Sequence, residues 1–352
     1  MDFVELNRAF FPIRKDQEIS PEAVRFLGGR YSGAIRWPDL RQYSRVIVLA
    51  EASSGKTEEF RNQTAILQKD GKAAFFVRIE ELAEEGFEAA LEPAALDKFH
   101  LWQRGAVEGW FFLDSVDEAR LNQKSFETAL KNLARALDQS LNRSKIFISC
   151  RVSDWKGDKD RASVQRILPG YEAPETNVVT DPLLDPVFDK KNKKEAQDKK
   201  KIPTDLQVYQ IGALTTEEYK KLAKACSVSD VEKFAVAVAR NGLDMFTERP
   251  GDVIDLASFW NTYKKFASFE KMTEYAIGRK IREQNAHRAD NNVLSEAKAR
   301  KGAELLAAAL TLGKTFTLRV PSHDPDPSLA TGAIDPAQVL LDWSPAERNA
   351  LT

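Results

Sequence analysis

The chain has 352 residues, 43% hydrophobic and 30% charged, with a formal net charge of −1. That length admits two or three domains and a sizeable core, and the charge balance supplies no global drive toward nucleic acid or an anionic membrane. Cys150 and Cys226 are too few for a disulfide framework or a zinc site, and neither a membrane-length apolar run nor a signal-peptide layout is present, so a cytoplasmic protein is the default expectation.

Residues 1–44 hold little regular pattern. Phe10-Phe11-Pro12-Ile13 reads as a short docking segment, and Gly28-Gly29 and Trp37-Pro38 read as turns. Trp37 and Tyr43 are taken first as packing residues and second as candidates to lie against a nucleotide base. A buried strand follows at Val46–Leu49, and then Ala50-Glu51-Ala52-Ser53-Ser54-Gly55-Lys56-Thr57. This fits the phosphate-loop pattern G-x-x-x-x-G-K-[ST] except that Ala50 replaces the first glycine, which is expected to take a backbone conformation that alanine resists. In such a loop the backbone N–H groups of Ala50 to Thr57 curl around phosphates, Lys56 reaches the β and γ oxygens, and the Thr57 hydroxyl ligates Mg²⁺. The next helix, over Glu58–Lys69, adds its N-terminal dipole.

A β-prone run at Ala73–Ile79 follows the Asp70-Gly71 turn signal. Phe87–Trp102 reads as a helix interrupted near Pro93. Trp110-Phe111-Phe112-Leu113-Asp114 reads as a buried strand ending in a carboxylate. Phe126, Leu130, Leu133, Leu137 and Leu141 form one apolar helical face, and Lys145–Arg151 is the next strand. Strands alternating with helices predict a doubly wound parallel sheet. Residues 152–206 break this rhythm with Pro169, Pro174, Pro182 and Pro186 and a Lys-rich run at 189–201, read as a solvated loop. The alternative reading of that run is a basic contact for nucleic acid or a partner, although no aromatics are interleaved to stack bases. Leu206–Ile211 reads as the last core strand, and Thr215–Glu218 as a capping box opening a helix with Tyr219, Leu222 and Cys226 on one face. Helical pieces over 230–288 are punctuated by Gly242 and by Arg249-Pro250-Gly251. A helix from Ala297 to Leu312, a strand at Thr315–Val320 and a helix from Asp335 suit a small winged-helix-like unit. The last helix, from Pro345, runs to the end of the sequence, and an N-terminal piece of a longer protein is the expectation.

The chemistry needs an acidic element beside the loop, and Asp114-Ser115-Val116-Asp117-Glu118 supplies it. Asp114 at the strand end would hold Mg²⁺ through its water shell. Asp117 and Glu118 lie where a carboxylate can polarise an attacking water. Arg151, at the end of the next strand, would sense a γ-phosphate and stabilise charge in transfer; pairing with Asp117 or Glu118 is the competing reading.

These three stretches together, A-E-A-S-S-G-K-T, L-D-S-V-D-E and I-S-C-R, resemble the NACHT branch of the STAND P-loop NTPases. Leu113–Glu118 matches that family's acidic motif position by position, Leu214–Glu218 resembles its post-strand segment, and Arg249-Pro250 resembles its proline motif near the adenine. The resemblance spans roughly residues 35–345 and implies a switch that closes over ADP and opens with ATP, with Pro250 near the nucleotide. It further implies a slow, Mg²⁺-dependent ATPase, self-association on activation, and a role in bacterial signalling or anti-phage defence. The trigger and effector are unknown and would lie on a missing C-terminal region.

The expected organisation is a lead-in segment at 1–44 and a P-loop NTPase core at 45–212 with a flexible insertion at about 152–206. A helical domain at 213–290 and a truncated winged-helix-like unit at 291–352 follow. Nucleotide is the expected ligand, and neither a membrane nor nucleic acid is expected as a partner. Two alternatives remain open: a non-hydrolysing module that holds nucleotide as a scaffold, and an AAA+ or winged-helix DNA-directed regulator.

Overall fold

The computed structural model describes residues 3–13, 33–114, 123–152, 155–171, 205–287, 294–315, 318–319 and 333–351. Asp117, Glu118, the Gly28-Gly29 pair, Pro174, Pro182, Pro186 and the Lys-rich run lie outside them. The chain divides into two units, Met1–Ala225 with Met245–Val253, and Cys226–Asp244 with Ile254–Thr352.

The first unit is built on a six-stranded sheet. Its strands are β1 (Phe10–Pro12), β2 (Arg45–Ala50), β3 (Ala73–Arg78), β4 (Gly109–Asp114), β5 (Ser144–Arg151) and β6 (Gln207–Ile211), in the spatial order β1-β6-β2-β5-β4-β3. Neighbours run parallel except β1, which closes one edge antiparallel to β6. Every residue of β2 and β4 is buried. That is why these strands read as unbroken apolar runs, since a parallel sheet is covered on both faces.

Alternation sorts the strand residues into two cores. Ile47, Leu49, Phe75, Val77, Phe111, Leu113, Ile146 and Ile148 share one face. It is covered by α3 (Ile79–Glu84), α4 (Pro93–Gln103), α5 (Gln123–Leu137) and α6 (Asp158–Ile167) through residues such as Leu82, Phe99, Leu130, Leu133 and Val164. Val46, Val48, Ala50, Phe112 and Phe147 share the other face with Phe10, with Trp37 and Leu40 of α1 (Trp37–Leu40), and with Phe60 and Leu67 of α2 (Lys56–Lys69). The stacked rings of Phe112 and Phe147, 4.9 Å apart, hold the centre of this second layer; truncating either ring would cost about 3–5 kcal/mol.

At the foot of β2, Arg45 is 1% exposed. Its guanidinium donates to the carbonyls of Leu168 (2.9 Å), Ser44 (2.8 Å), Leu141 (3.2 Å) and Ser144, so the buried cation is solvated by backbone. Burial still lowers its pKa to about 10.

Several elements differ from the sequence reading. Trp37-Pro38 begins a one-turn helix, because proline in the first turn pre-sets the helical φ. Ile79, read as a strand end, opens α3 and buries itself with Leu82. The helix expected from Phe87 starts only at Pro93. The apolar face that reached Leu141 leaves α-geometry at Leu137 and tightens into a 3₁₀ helix, Asp138–Arg143. Within the segment read as a loop, α6 forms because Val164 and Leu168 reach the core.

Beyond β6, the capping box forms as expected. The Thr215 N–H donates to Glu218 at 2.7 Å and the Glu218 N–H to the Thr215 hydroxyl at 3.3 Å, opening α7 (Thr216–Ala225). The second unit is helical in its described residues, with α8 (Val231–Arg240), most of α9 (Pro250–Tyr263), α10 (Phe269–His287), α11 (Glu296–Leu312), α12 (Pro336–Val339) and α13 (Pro345–Leu351). Phe234 of α8 packs edge-on to Trp260 of α9 at 5.8 Å, and Asp255 of α9 pairs with Arg279 of α10. Of the strand expected at Thr315–Val320, the described residues show only a parallel bridge between Leu318 and Ile334. No helix among the described residues is long and apolar enough to cross a membrane.

Candidate phosphate-binding site

The stretch singled out by sequence forms a strand, a tight loop and a helix. β2 ends at Ala50, residues 51–55 turn, and α2 begins at Lys56. Glu51, Ala52 and Ser53 are exposed, whereas Ser54 is 4% exposed. Two loop residues adopt the left-handed conformation, Ser53 at φ 63° and Gly55 at φ 86°. Ala50 is not one of them: it is the last residue of β2, paired in register with Arg151 of β5. The expectation that Ala50 sits where alanine is resisted is therefore corrected. An extended strand residue tolerates any side chain, and the strained position is Ser53. Lys56 donates from Nζ to the Ala50 carbonyl at 3.1 Å, which folds its side chain back over the loop.

The acidic element lies beside it. Asp114 ends β4, is fully buried, and accepts two hydroxyl hydrogen bonds: Thr57 Oγ1 on Oδ2 at 2.7 Å and Ser149 Oγ on Oδ1 at 2.6 Å. The strand order explains the meeting. β5 lies between β2 and β4, so Ser149 stands between the loop strand and the acid strand, and Thr57 reaches over from the first turn of α2. Alternation puts Ala50, Asp114, Ser149 and Arg151 on the face that α2 covers, because Val48, Phe112 and Phe147 lie there. Arg151 thus stands at the strand end beside the loop. Asp117 and Glu118 follow Asp114 in sequence but lie outside the described residues.

One carboxylate and one hydroxyl in hydrogen-bond contact make an all-oxygen pair suited to a hard divalent cation such as Mg²⁺. That ion keeps several waters and takes further oxygens from phosphate. Among the described residues no group of three or more His, Cys, Asp or Glu could hold a metal. Thr57 and Asp114 are the oxygen donors that would hold such an ion here.

Two residues that sequence reading does not single out, Arg8 and Glu59, and one it reads only as part of a turn, Gly251, complete the surroundings. Arg8, 2% exposed, donates from one guanidinium nitrogen to the Ser54 carbonyl (2.9 Å) and from another to the Gly212 carbonyl (2.7 Å) just past β6. Burial lowers its pKa, opposed by the nearby charges of Glu59 and Glu218. Glu59, on the first turn of α2, accepts from the Trp37 indole N–H at 2.8 Å, and burial raises its carboxyl pKa. Trp37 is thereby a core residue against Phe10, and Tyr43 packs on Tyr209 with ring centroids 5.9 Å apart; both are packing residues. On the far side of the loop, the Gly251 N–H donates to the Ser53 carbonyl at 3.0 Å. Pro250 lies against Gly55, with 3.5 Å between its Cγ and the position a Gly55 Cβ would take. Pro250, proposed from the resemblance, is thus at the loop. Arg8 carries no sequence signal, being an isolated arginine in a segment without periodicity. Gly251 follows a turn signal whose partner is nearly two hundred residues away in sequence.

A scan against models of known protein families finds no match, and a search of curated proteins finds none either.

Proposed function

We propose that this chain is a Mg²⁺-dependent ATP-binding and ATP-hydrolysing molecular switch of the NACHT/STAND type. The observation that carries the proposal is the Thr57–Asp114 hydrogen bond, which joins a strand–loop–helix cradle to a buried carboxylate at the end of a neighbouring strand. A cradle alone would suit many anions. The cradle with its lysine, its threonine and a buried aspartate in contact with that threonine suits a nucleoside polyphosphate bound with a metal.

In this reading the backbone N–H groups over 51–57 and the N-terminus of α2 hold the phosphates. Lys56 exchanges the Ala50 carbonyl for β and γ oxygens, and Thr57 and Asp114 hold the metal. When bound, Mg²⁺ supplies charge neutralisation across the β- and γ-phosphates. Ser149 orients the Asp114 carboxylate by its hydrogen bond. Asp117 and Glu118 act on the attacking water, Arg151 responds to the γ-phosphate, and Pro250 lies against the loop. The larger setting, with ADP-to-ATP exchange, self-association and a role in bacterial signalling or defence in the cytoplasm, rests on the motif resemblance.

Steady-state phosphate release from ATP, measured with Mg²⁺ and with EDTA, tests the proposal. Slow Mg²⁺-dependent turnover that disappears in Lys56→Ala is the expected result. Tight nucleotide retention with no turnover in the wild type would convert the reading to a non-hydrolysing module. Absence of both nucleotide binding and turnover in the wild type would overturn it.

A further inference from the structure

The phosphate loop is held from outside through its carbonyls. Ser54 presents its carbonyl to Arg8 and Ser53 presents its carbonyl to the Gly251 N–H. In a planar trans peptide the C=O and N–H point in opposite directions. The Ser54 carbonyl belongs to the peptide unit that carries the Gly55 N–H. Anchoring that carbonyl on a buried guanidinium therefore aims the Gly55 N–H away from Arg8, as an anion cradle requires.

Arg8 is itself fixed. Its second branch holds Gly212, whose own N–H donates to the Ala9 carbonyl at 2.8 Å, and β1 follows as an edge strand on β6. Lys221 adds a hydrogen bond to the Glu5 carbonyl at 2.6 Å. A buried cation is expensive to keep, and at this position its two carbonyl partners belong to the loop and to the exit of β6.

We propose that Arg8 is a positioning residue of the phosphate site: by bridging the Ser54 and Gly212 carbonyls it pre-sets the peptide whose N–H meets phosphate, and so makes anion binding depend on the docked N-terminal segment. This rests on the phosphate-site reading above. The role belongs to a forked, planar donor. A lysine keeps the charge but is a point donor that cannot span both carbonyls in the same way.

The test is calorimetric titration of the full chain with Mg²⁺-ADP and, separately, with pyrophosphate, comparing wild type, Arg8→Lys and Arg8→Met. Both variants should lose affinity for the two ligands by the same factor, about tenfold or more, as expected for a lost charge-assisted hydrogen bond. The fraction of competent sites should stay unchanged, whereas a merely destabilised protein would lose sites and keep its affinity. If Arg8→Lys binds both ligands like wild type, or loses ADP affinity while keeping pyrophosphate affinity, the inference is overturned and the phosphate-site reading stands. If wild type binds neither ligand, the reading itself fails and takes the inference with it. A measurement independent of variant folding is hydrogen exchange at the Gly55 amide of wild type. Pyrophosphate should slow it, and an unchanged rate in the saturated protein contradicts the proposal.

Discussion

The Thr57 hydroxyl donates to one oxygen of the Asp114 carboxylate at 2.7 Å, although the two residues stand on different elements 57 positions apart. With Ser149 on the other oxygen at 2.6 Å, hydroxyls orient both carboxylate oxygens, and the two groups proposed to hold a metal are in contact. Replacing either partner should therefore separate metal-dependent from metal-independent binding. In Thr57→Ala and Asp114→Asn the affinity for Mg²⁺-ADP should fall about tenfold or more, while affinity measured in EDTA should change much less. Equal losses with and without Mg²⁺, read by titration of a fluorescent ADP analogue, would contradict the assignment.

Ala50 makes the opposite prediction from the one its place in the motif invites. It is a fully buried, extended strand residue, so restoring glycine relieves no strain and adds backbone freedom to the unfolded chain. Ala50→Gly should lower stability by about 0.5–1 kcal/mol and leave turnover no faster than wild type. Ser53, at φ 63°, is the position where glycine removes strain. Urea unfolding and phosphate release on both variants check this, and faster phosphate release by Ala50→Gly than by wild type would refute it.

Gly251 touches the loop so closely that a Cβ there would lie 2.7 Å from the Ser53 Cβ. One side must move, and the Gly251–Ser53 hydrogen bond lengthens with it. Gly251→Ala should weaken ADP binding about tenfold, since one hydrogen bond and the set of the Ser54 N–H are disturbed together. Unchanged affinity in a folded variant would mean that the loop does not need this support.

Glu59 gives a pH dependence with a definite sign. Its carboxyl is raised above 4.5, by burial first, so the folded state holds this proton more tightly than the unfolded state does. The stability it contributes is fully present below about pH 4.5 and is lost as the pH rises through the folded-state value. Glu59→Gln keeps an oxygen for the Trp37 N–H but does not titrate. The unfolding free energy of wild type minus that of Glu59→Gln should fall as the pH is raised from 4.5 to about 7.5. A flat or rising difference in urea denaturation would contradict the assignment.

What sequence reading could and could not reach follows from where each interaction is encoded. β2, β4 and β5 are legible as largely apolar runs because both faces of a parallel sheet are covered, and β4 and β5 are legible with their terminal polar residues, Asp114 and Arg151. Alternation within those runs could not assign a face, so the meeting of Asp114 with Ser149 needed the strand order. Short elements such as α1 and α3 carry no readable helical signal, because fewer than two turns leave no periodicity to count. Arg8 and Gly251, and Arg45 in three of its four contacts, act on carbonyls distant in sequence, and no local pattern names such partners, even where a turn signal marks Gly251 itself. Arg45 in particular is a cation at a core position, acceptable only because the carbonyls of Ser44, Leu141, Ser144 and Leu168 converge on it.

The central claim is that Ala50–Thr57 cradles the phosphates of a nucleotide together with Asp114. Equilibrium titration of the wild-type chain with ADP in the presence of Mg²⁺, repeated on Lys56→Ala, tests it most directly. Saturable binding of one nucleotide per chain that is lost in Lys56→Ala is the predicted result. Absence of binding in the wild type, or affinity indifferent to Lys56, would contradict it.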